Sequence, residues 1–393
     1  MKLDITTNVN QFLDKDVIKK YSDRKDEVFN LLDSASMNGW LHPDLTYIHK
    51  ILEVRDRVKK NSQCLVVVGI GGSFLGSAAL YEMFKPYFKR DDFEIIYAGT
   101  TLSSSYMSEL VSYLKTVDFS VNVISKSGTT METSLTYTAI KKVMEEKYSH
   151  QELKERIIIT TDPVKGNLRK EVEEVGYTAF EIPDNIGGRY SLLTAAHLFP
   201  LSFCIDINEL ISGYQEGILL KELAFSYAVV RRSLFDSRKV VENFVTYENN
   251  FYYYLEWLKQ LFGETEGKEG KGILPISMIH TRDLHSLGQF VQEGNKILYE
   301  TFFKIKNNRE DFFINDRSLH QDNLIVEDSV IAAHVSGGVP CIILELDNVS
   351  PYTIGEVSAF FLLTAAFSGF LFDVDPFNQP GVEVYKSEVR SRL

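Results

Sequence analysis

Cysteine is scarce: Cys64, Cys204 and Cys341 are the three in 393 residues, an odd number set far apart in apolar segments. That pattern excludes a disulfide framework and predicts buried thiols in a reducing compartment. Proline, at 10 residues, is too sparse for a collagen-like or proline-rich disordered chain. Positive charge is in deficit, 42 Lys and Arg against 54 Asp and Glu, for a net charge of −12. An acidic field of that size repels polyanions, so the composition predicts no nucleic-acid partner. A small phosphorylated ligand stays compatible with it, because a few local amides and cations bind one. Long apolar runs are also few. The opening MKLDITTNVNQFLDKD lacks the apolar core of a signal peptide. The uncharged stretch 61–81 is interrupted by glycines and a serine at 69–73, and 357–372, closed by Glu356 and Asp373, is shorter than the roughly 18–20 residues of a membrane span. These features predict a cytoplasmic protein without membrane association, with 357–372 as a buried helix.

What the chain does have is ordinary globular material, 44% apolar and 24% charged, in a length that suits two or three domains. Residues 1–60 read as polar-faced helices without a core of their own, packing on the larger of the domains that follow. From residue 64 short apolar runs alternate with helical patterns: CLVVVG (64–69), FEIIYAG (93–99), VNVIS (121–125), RIIIT (156–160) and TAFEI (178–182). Strand runs alternating with helices predict a mainly parallel sheet covered on both faces, here a smaller α/β domain over 61–190. Residues 191–393 predict a larger α/β domain. Its helical patterns cover 191–204, 207–230 and 240–262, its strand-like runs are ILPISMI (273–279) and PCIILEL (340–346), and 303–330 reads as a polar, irregular excursion.

Six segments could carry chemistry. VVVGIGGSFLG (66–76) runs from a strand through glycines into a helix, which leaves free amides for an anion. It is not a dinucleotide fingerprint, since Phe74 stands where the third glycine belongs; a purely structural tight turn fits it equally. ISKSGTT (124–130) offers Ser125, Ser127, Thr129 and Thr130 with Lys126 and Gly128, a set of donors suited to a phosphate and richer than a simple helix cap requires. In IGGRYSLLTA (186–195), Arg189 sits at a helix start, against the dipole, which points to an anionic partner or to a surface position. FGETEGK (262–268) reads as a loop carrying Glu264. DLHSLGQFVQEG (283–294) places His285 just after a strand-like run, and DPFNQPGVEVYK (375–386) leads through Pro380 and Gly381 into a short helix with Lys386. The remaining histidines show no metal-ligand spacing, so no metal is expected.

Taken in order, GIGGSFLG, NVISKSGTTMET, GGRYSLLTA, KQLFGETEGK, DLHSLGQFVQEG and PFNQPGVEVYK resemble the phosphoglucose isomerase family in its shorter bacterial form, over residues 69 to 386. The resemblance implies two unequal domains of the sugar-isomerase α/β type, a homodimer, and no cofactor. It implies reversible isomerisation of glucose 6-phosphate and fructose 6-phosphate through an enediol(ate), in glycolysis and gluconeogenesis. It makes Glu264 the base, His285 with Lys386 the ring-opening pair, and Arg189 the cation beside the reacting carbons. Gly72, Ser73, Ser125, Lys126, Ser127 and Thr130 become the phosphate side of the substrate site, in a phosphate-binding smaller domain. Gln260 and Gln379 become pocket residues, and the C-terminal helix becomes catalytic.

Overall fold

The computed structural model describes residues 1–88 and 93–392. The chain forms two compact units, Ser36–Ile207 and Met1–Ala35 with Asn208–Leu393. The expected divisions at 60/61 and 190/191 therefore move. Residues 36–60 and 191–207 belong to the smaller unit, because the helices Ile48–Asn61 and Ala195–Leu201 pack on each other within it. Residues 1–35 group with Asn208–Leu393 and open with a strand, β1 (Lys2–Asp4), where helix was expected.

The smaller unit is built on a parallel five-stranded sheet in the order β3-β2-β4-β5-β6. Its strands are β2 (Cys64–Val68), β3 (Glu94–Ala98), β4 (Phe119–Ile124), β5 (Ile157–Thr161) and β6 (Thr178–Glu181). The runs CLVVV, FSVNVI and IIITT are buried along their whole length, as strands covered on both faces must be. The polar Asn122 is tolerated in β4 because its Oδ1 accepts from the Thr160 hydroxyl at 2.9 Å. One face packs Val66, Val121, Val123 and Ile159 against Ile140 and Met144 of the helix Met131–Lys147. Full burial of such a side chain contributes about 1.5–3 kcal/mol. The sheet order reverses between β2 and β4, and the C-terminal ends of those two strands open into Gly69–Ser73 and Ser125–Thr130. A doubly wound sheet binds its ligands at such a switch point.

The larger unit carries a second sheet of β1 with β7 (Val241–Thr246), β8 (Leu274–Ile279), β9 (Leu298–Ile305) and β12 (Cys341–Leu346), and apart from it a hairpin of β10 (Phe313–Ile314) and β11 (Arg317–Ser318). Its order is β1-β12-β9-β7-β8, with only β1 antiparallel. Two of these strands differ from the sequence expectation. β7 falls inside a stretch read as helix, and β9 overlaps one read as irregular. Both carry charged or amide side chains in buried strands, so neither reads as an apolar run. The larger unit supplies their partners: Asn243 Nδ2 donates to Glu300 Oε1 at 2.8 Å, and Glu300 Oε2 meets His334 Nδ1 at 2.6 Å. The irregular reading also fails at its end, where Leu319–Ser336 is helix.

The helix Pro351–Leu371 has the length and hydropathy of a membrane span, and 89% of its most apolar 18-residue stretch is buried. It packs on the helices Lys221–Asp236 and Tyr252–Glu266 and joins an aromatic core in which Phe361 meets Phe244, Phe262 and Phe303. Close approach depends on missing side chains: a Cβ on Gly355 would lie 2.2 Å from the carbonyl oxygen of Leu210.

Candidate active site

In the smaller unit, Ser73, Ser125, Lys126, Ser127 and Thr130 line one cavity of about 610 Å³, together with Thr133, Asp162 and Lys165. Gly128, at φ +66°, turns the 125–130 loop, and its N–H donates to Ser125 Oγ at 3.1 Å. Ser127 Oγ accepts from the backbone and hydroxyl of Thr129 at 3.2 and 3.1 Å, while Ser125 Oγ stands 3.5 Å from Thr130 Oγ1. The hydroxyls are thus gathered before any ligand arrives. Thr130 ends this loop as the N-cap of Met131–Lys147, a 17-residue helix whose first turn faces the same cavity through Thr133.

Gly72 is placed differently from the other expected phosphate-side residues. It packs against Gly188, where a Cβ would come within 2.3 Å of the backbone, and is not part of the cavity wall. The contact joins the 71–73 turn to the 188–190 turn that carries Arg189, which is only 3% exposed rather than a surface side chain. Its neighbour Tyr190 stacks on Trp40 at 5.1 Å between ring centroids. His197, which the motif reading passed over, holds this corner. Its ring lies 2.8 Å from the Gly72 carbonyl and 3.2 Å from the Ser191 hydroxyl, and Nδ1 accepts the Ser77 N–H at 3.0 Å. Its only sequence signal is a histidine inside the apolar run TAAHLFPL.

In the larger unit, Glu264 lies in the last turn of the helix Tyr252–Glu266 and not in a loop. Gln260, one turn earlier, donates from Nε2 to Glu264 Oε1 at 3.1 Å. The helix extends because Glu266 is fully buried. It pairs with Arg231, which also reaches Glu242 of β7 at 2.7 Å and stacks on Phe262 at 4.0 Å. A second Glu266 oxygen accepts from the Ile273 N–H at 3.3 Å, fastening the helix end to the lead-in of β8. Two buried carboxylates flanking one guanidinium hold it charged, well above the ordinary arginine range despite the cost of burial. The Glu264 corner also meets the segment before the last helix: Lys268 Nζ donates to the Asp375 carbonyl, and Pro376 packs beside Gly369 and Thr265. Gln379 follows, exposed, and Lys386 stands on Gly381–Arg392 with its ammonium 3.0 Å from Glu383 Oε1.

His285 is not brought to that corner. It closes the turn Arg282–His285 beyond the C-terminal end of β8, where Asp283 Oδ2 accepts the Ile279 N–H at 2.7 Å. Glu264 stands near the opposite end, where Gly263 faces Pro275. From Pro275 to Ile279, β8 puts about 13 Å of strand between those two contacts. Among the described residues no cluster of three His, Cys, Asp or Glu side chains could hold a metal ion.

The family model for phosphoglucose isomerase matches residues 51–217. A glucose-6-phosphate isomerase of Mycoplasmopsis pulmonis is 40% identical, with 98% of each chain covered. One of Staphylococcus saprophyticus is 43% identical over 90% of this chain and 86% of its own. The crystal structure of a glucose-6-phosphate isomerase from Chlamydia trachomatis shares the fold at a TM-score of 0.80 and 18% identity, covering 95% of this chain and 84% of that one. With 40% identity sustained over nearly the whole of both chains, this protein belongs to the phosphoglucose isomerase family.

Proposed function

We infer that the chain interconverts glucose 6-phosphate and fructose 6-phosphate, an aldose–ketose isomerisation that serves glycolysis and gluconeogenesis. One observation carries the reading: in a chain of this family, five hydroxyl side chains and a helix start surround one cavity at the switch point of a doubly wound sheet. The reaction moves a proton from C2 to C1 through an enediol(ate). Glu264 is the base that takes the C2 proton and returns it to C1, a role worth roughly 10²–10⁴ in rate. Arg189, permanently charged, stabilises the developing enediolate oxygen without exchanging protons. His285 and Lys386 open the sugar ring, protonating the ring oxygen as the C1 hydroxyl loses its proton. Ser73, Ser125, Ser127 and Thr130 hold the phosphate, so that binding energy far from C1 and C2 orients the reacting carbons.

The active form on this reading is a cytoplasmic homodimer. With Glu264 and His285 at opposite ends of β8, a site that uses both takes its histidine from a second copy. Phe312, Phe313 and Ile314, exposed on and beside the β10–β11 hairpin of the same unit, are apolar surface that a second copy would cover. The decisive experiment is a coupled assay with purified protein in the presence of a metal chelator. Formation of fructose 6-phosphate from glucose 6-phosphate is expected, and its absence overturns the reading.

A further inference from the structure

The cavity at the 125–130 loop contains two lysines and one carboxylate, and the lysines are not equivalent. Lys126 is committed elsewhere. Its ammonium donates to the carbonyls of Pro183 and Asp184, each at 3.0 Å, and lies 3.7 Å from the Asp184 carboxylate. The two carbonyls take two of the three ammonium donors, and the Asp184 carboxylate balances its charge. Lys165, on the turn after β5, has no ion pair or side-chain hydrogen bond among the described residues.

The backbone of that turn is locked against the loop. Asp162 Oδ1 accepts the N–H groups of Val164 and Lys165 at 2.9 and 3.0 Å. Gly166 then adopts φ +104°, and a Cβ there would lie 3.0 Å from the Ser127 carbonyl oxygen. From the other side, a Cβ on Gly128 would meet the Leu168 nitrogen at 3.1 Å. The 162–168 turn and the 125–130 loop therefore form one fitted surface. Asp162 brings a negative charge to the same cavity, and the hydroxyls around it carry none. A dianion entering there lacks a neutralising partner unless a free cation supplies one.

We propose that Lys165 is the side-chain cation that neutralises the phosphate of the sugar substrate, while Lys126 serves the loop by anchoring it to residues 183–184. This rests on the reading of residues 125–130 as the phosphate site. The test compares Lys165→Gln, Lys165→Arg and the double variant Ser127→Ala/Thr130→Val in steady-state kinetics. Inorganic phosphate is the competing probe, at low and high salt. Lys165→Gln is expected to raise the KM for glucose 6-phosphate and the inhibition constant of phosphate roughly tenfold, the effect of one charge-assisted contact. It should leave kcat within about twofold and flatten the salt dependence of KM, because a screened charge pair has been removed. Lys165→Arg should restore all three. If Lys165→Gln leaves both constants unchanged while the double variant weakens phosphate inhibition, the assignment of Lys165 is overturned and the loop remains the phosphate site. If neither variant alters phosphate inhibition, the reading of the loop itself fails. Loss of kcat with phosphate inhibition intact would make Lys165 a structural residue and also overturn the proposal.

Discussion

The Nε2 atom of His197 lies 2.8 Å from the carbonyl oxygen of Gly72, 125 positions earlier in the chain. Because Nδ1 accepts the Ser77 N–H, the proton of the neutral ring sits on Nε2 and is donated to that carbonyl. The ring thereby fastens the 71–73 turn where Gly72 and Gly188 touch, two residues before Tyr190 and one before Arg189.

His197 makes stability depend on acidity. Burial, opposed in part by the bond to Gly72, pushes its pKa down from 6.5 to about 4. Below pH 6.5 the unfolded chain takes up a proton that the folded ring refuses, so stability falls by about 1.4 kcal/mol per pH unit until pH approaches 4. Above pH 6.5 the effect is absent. His197→Phe should remove this slope and cost about 1–3 kcal/mol at pH 7 through the Ser77 N–H left without its acceptor. Urea unfolding of both proteins between pH 4.5 and 8 measures it, and parallel curves would refute the assignment.

Glu327 acts in the opposite direction. Burial, eased somewhat by Lys304, raises its carboxyl to about 8, and its Oε1 has no hydrogen-bond partner among the described residues. The folded state keeps a proton that the unfolded state releases above pH 4.5. Stability from this group is therefore full below pH 4.5 and declines as pH rises toward 8. Glu327→Gln should be more stable than the parent at pH 8 and indistinguishable from it near pH 4.5. Thermal melts at the two values decide the matter.

Glu264→Gln should lower kcat by roughly 10²–10⁴ while inorganic phosphate inhibits as before, because the amide keeps the bond to Gln260 but cannot take a proton. A variant with parental turnover would show that another group is the base.

Opposite placement of Glu264 and His285 along β8 makes a complementation experiment informative. Glu264→Gln and His285→Ala should each be inactive alone. Unfolded together and refolded, they should recover roughly a quarter of parental activity, since half of the randomly paired dimers are mixed and each has one intact site. No recovery would mean that each chain uses its own histidine.

Much of this protein was legible before any coordinates. The strands of the smaller unit announce themselves as apolar runs, because a strand buried on both faces has no other composition available, and the family that the motifs resemble is the one shown by relatives about 40% identical over nearly the whole chain. The strands β7 and β9 were hidden for an equally physical reason. Glu242 and Glu300 lie inside them, and a buried carboxylate is affordable only beside partners such as Arg231 and His334, which are remote in sequence. Likewise, GETEGK has the composition of a loop, and only the buried Arg231–Glu266 pair explains why the helix carries Glu264 to its last turn.

Residue types and their order therefore determined which chemistry this chain carries, since acid–base and phosphate-binding groups are named by their side chains. Which of those groups stand together was decided by topology alone. A crossover helix returns Glu264 to the beginning of β8 while the strand carries His285 beyond its end, and no local property of either segment encodes that separation.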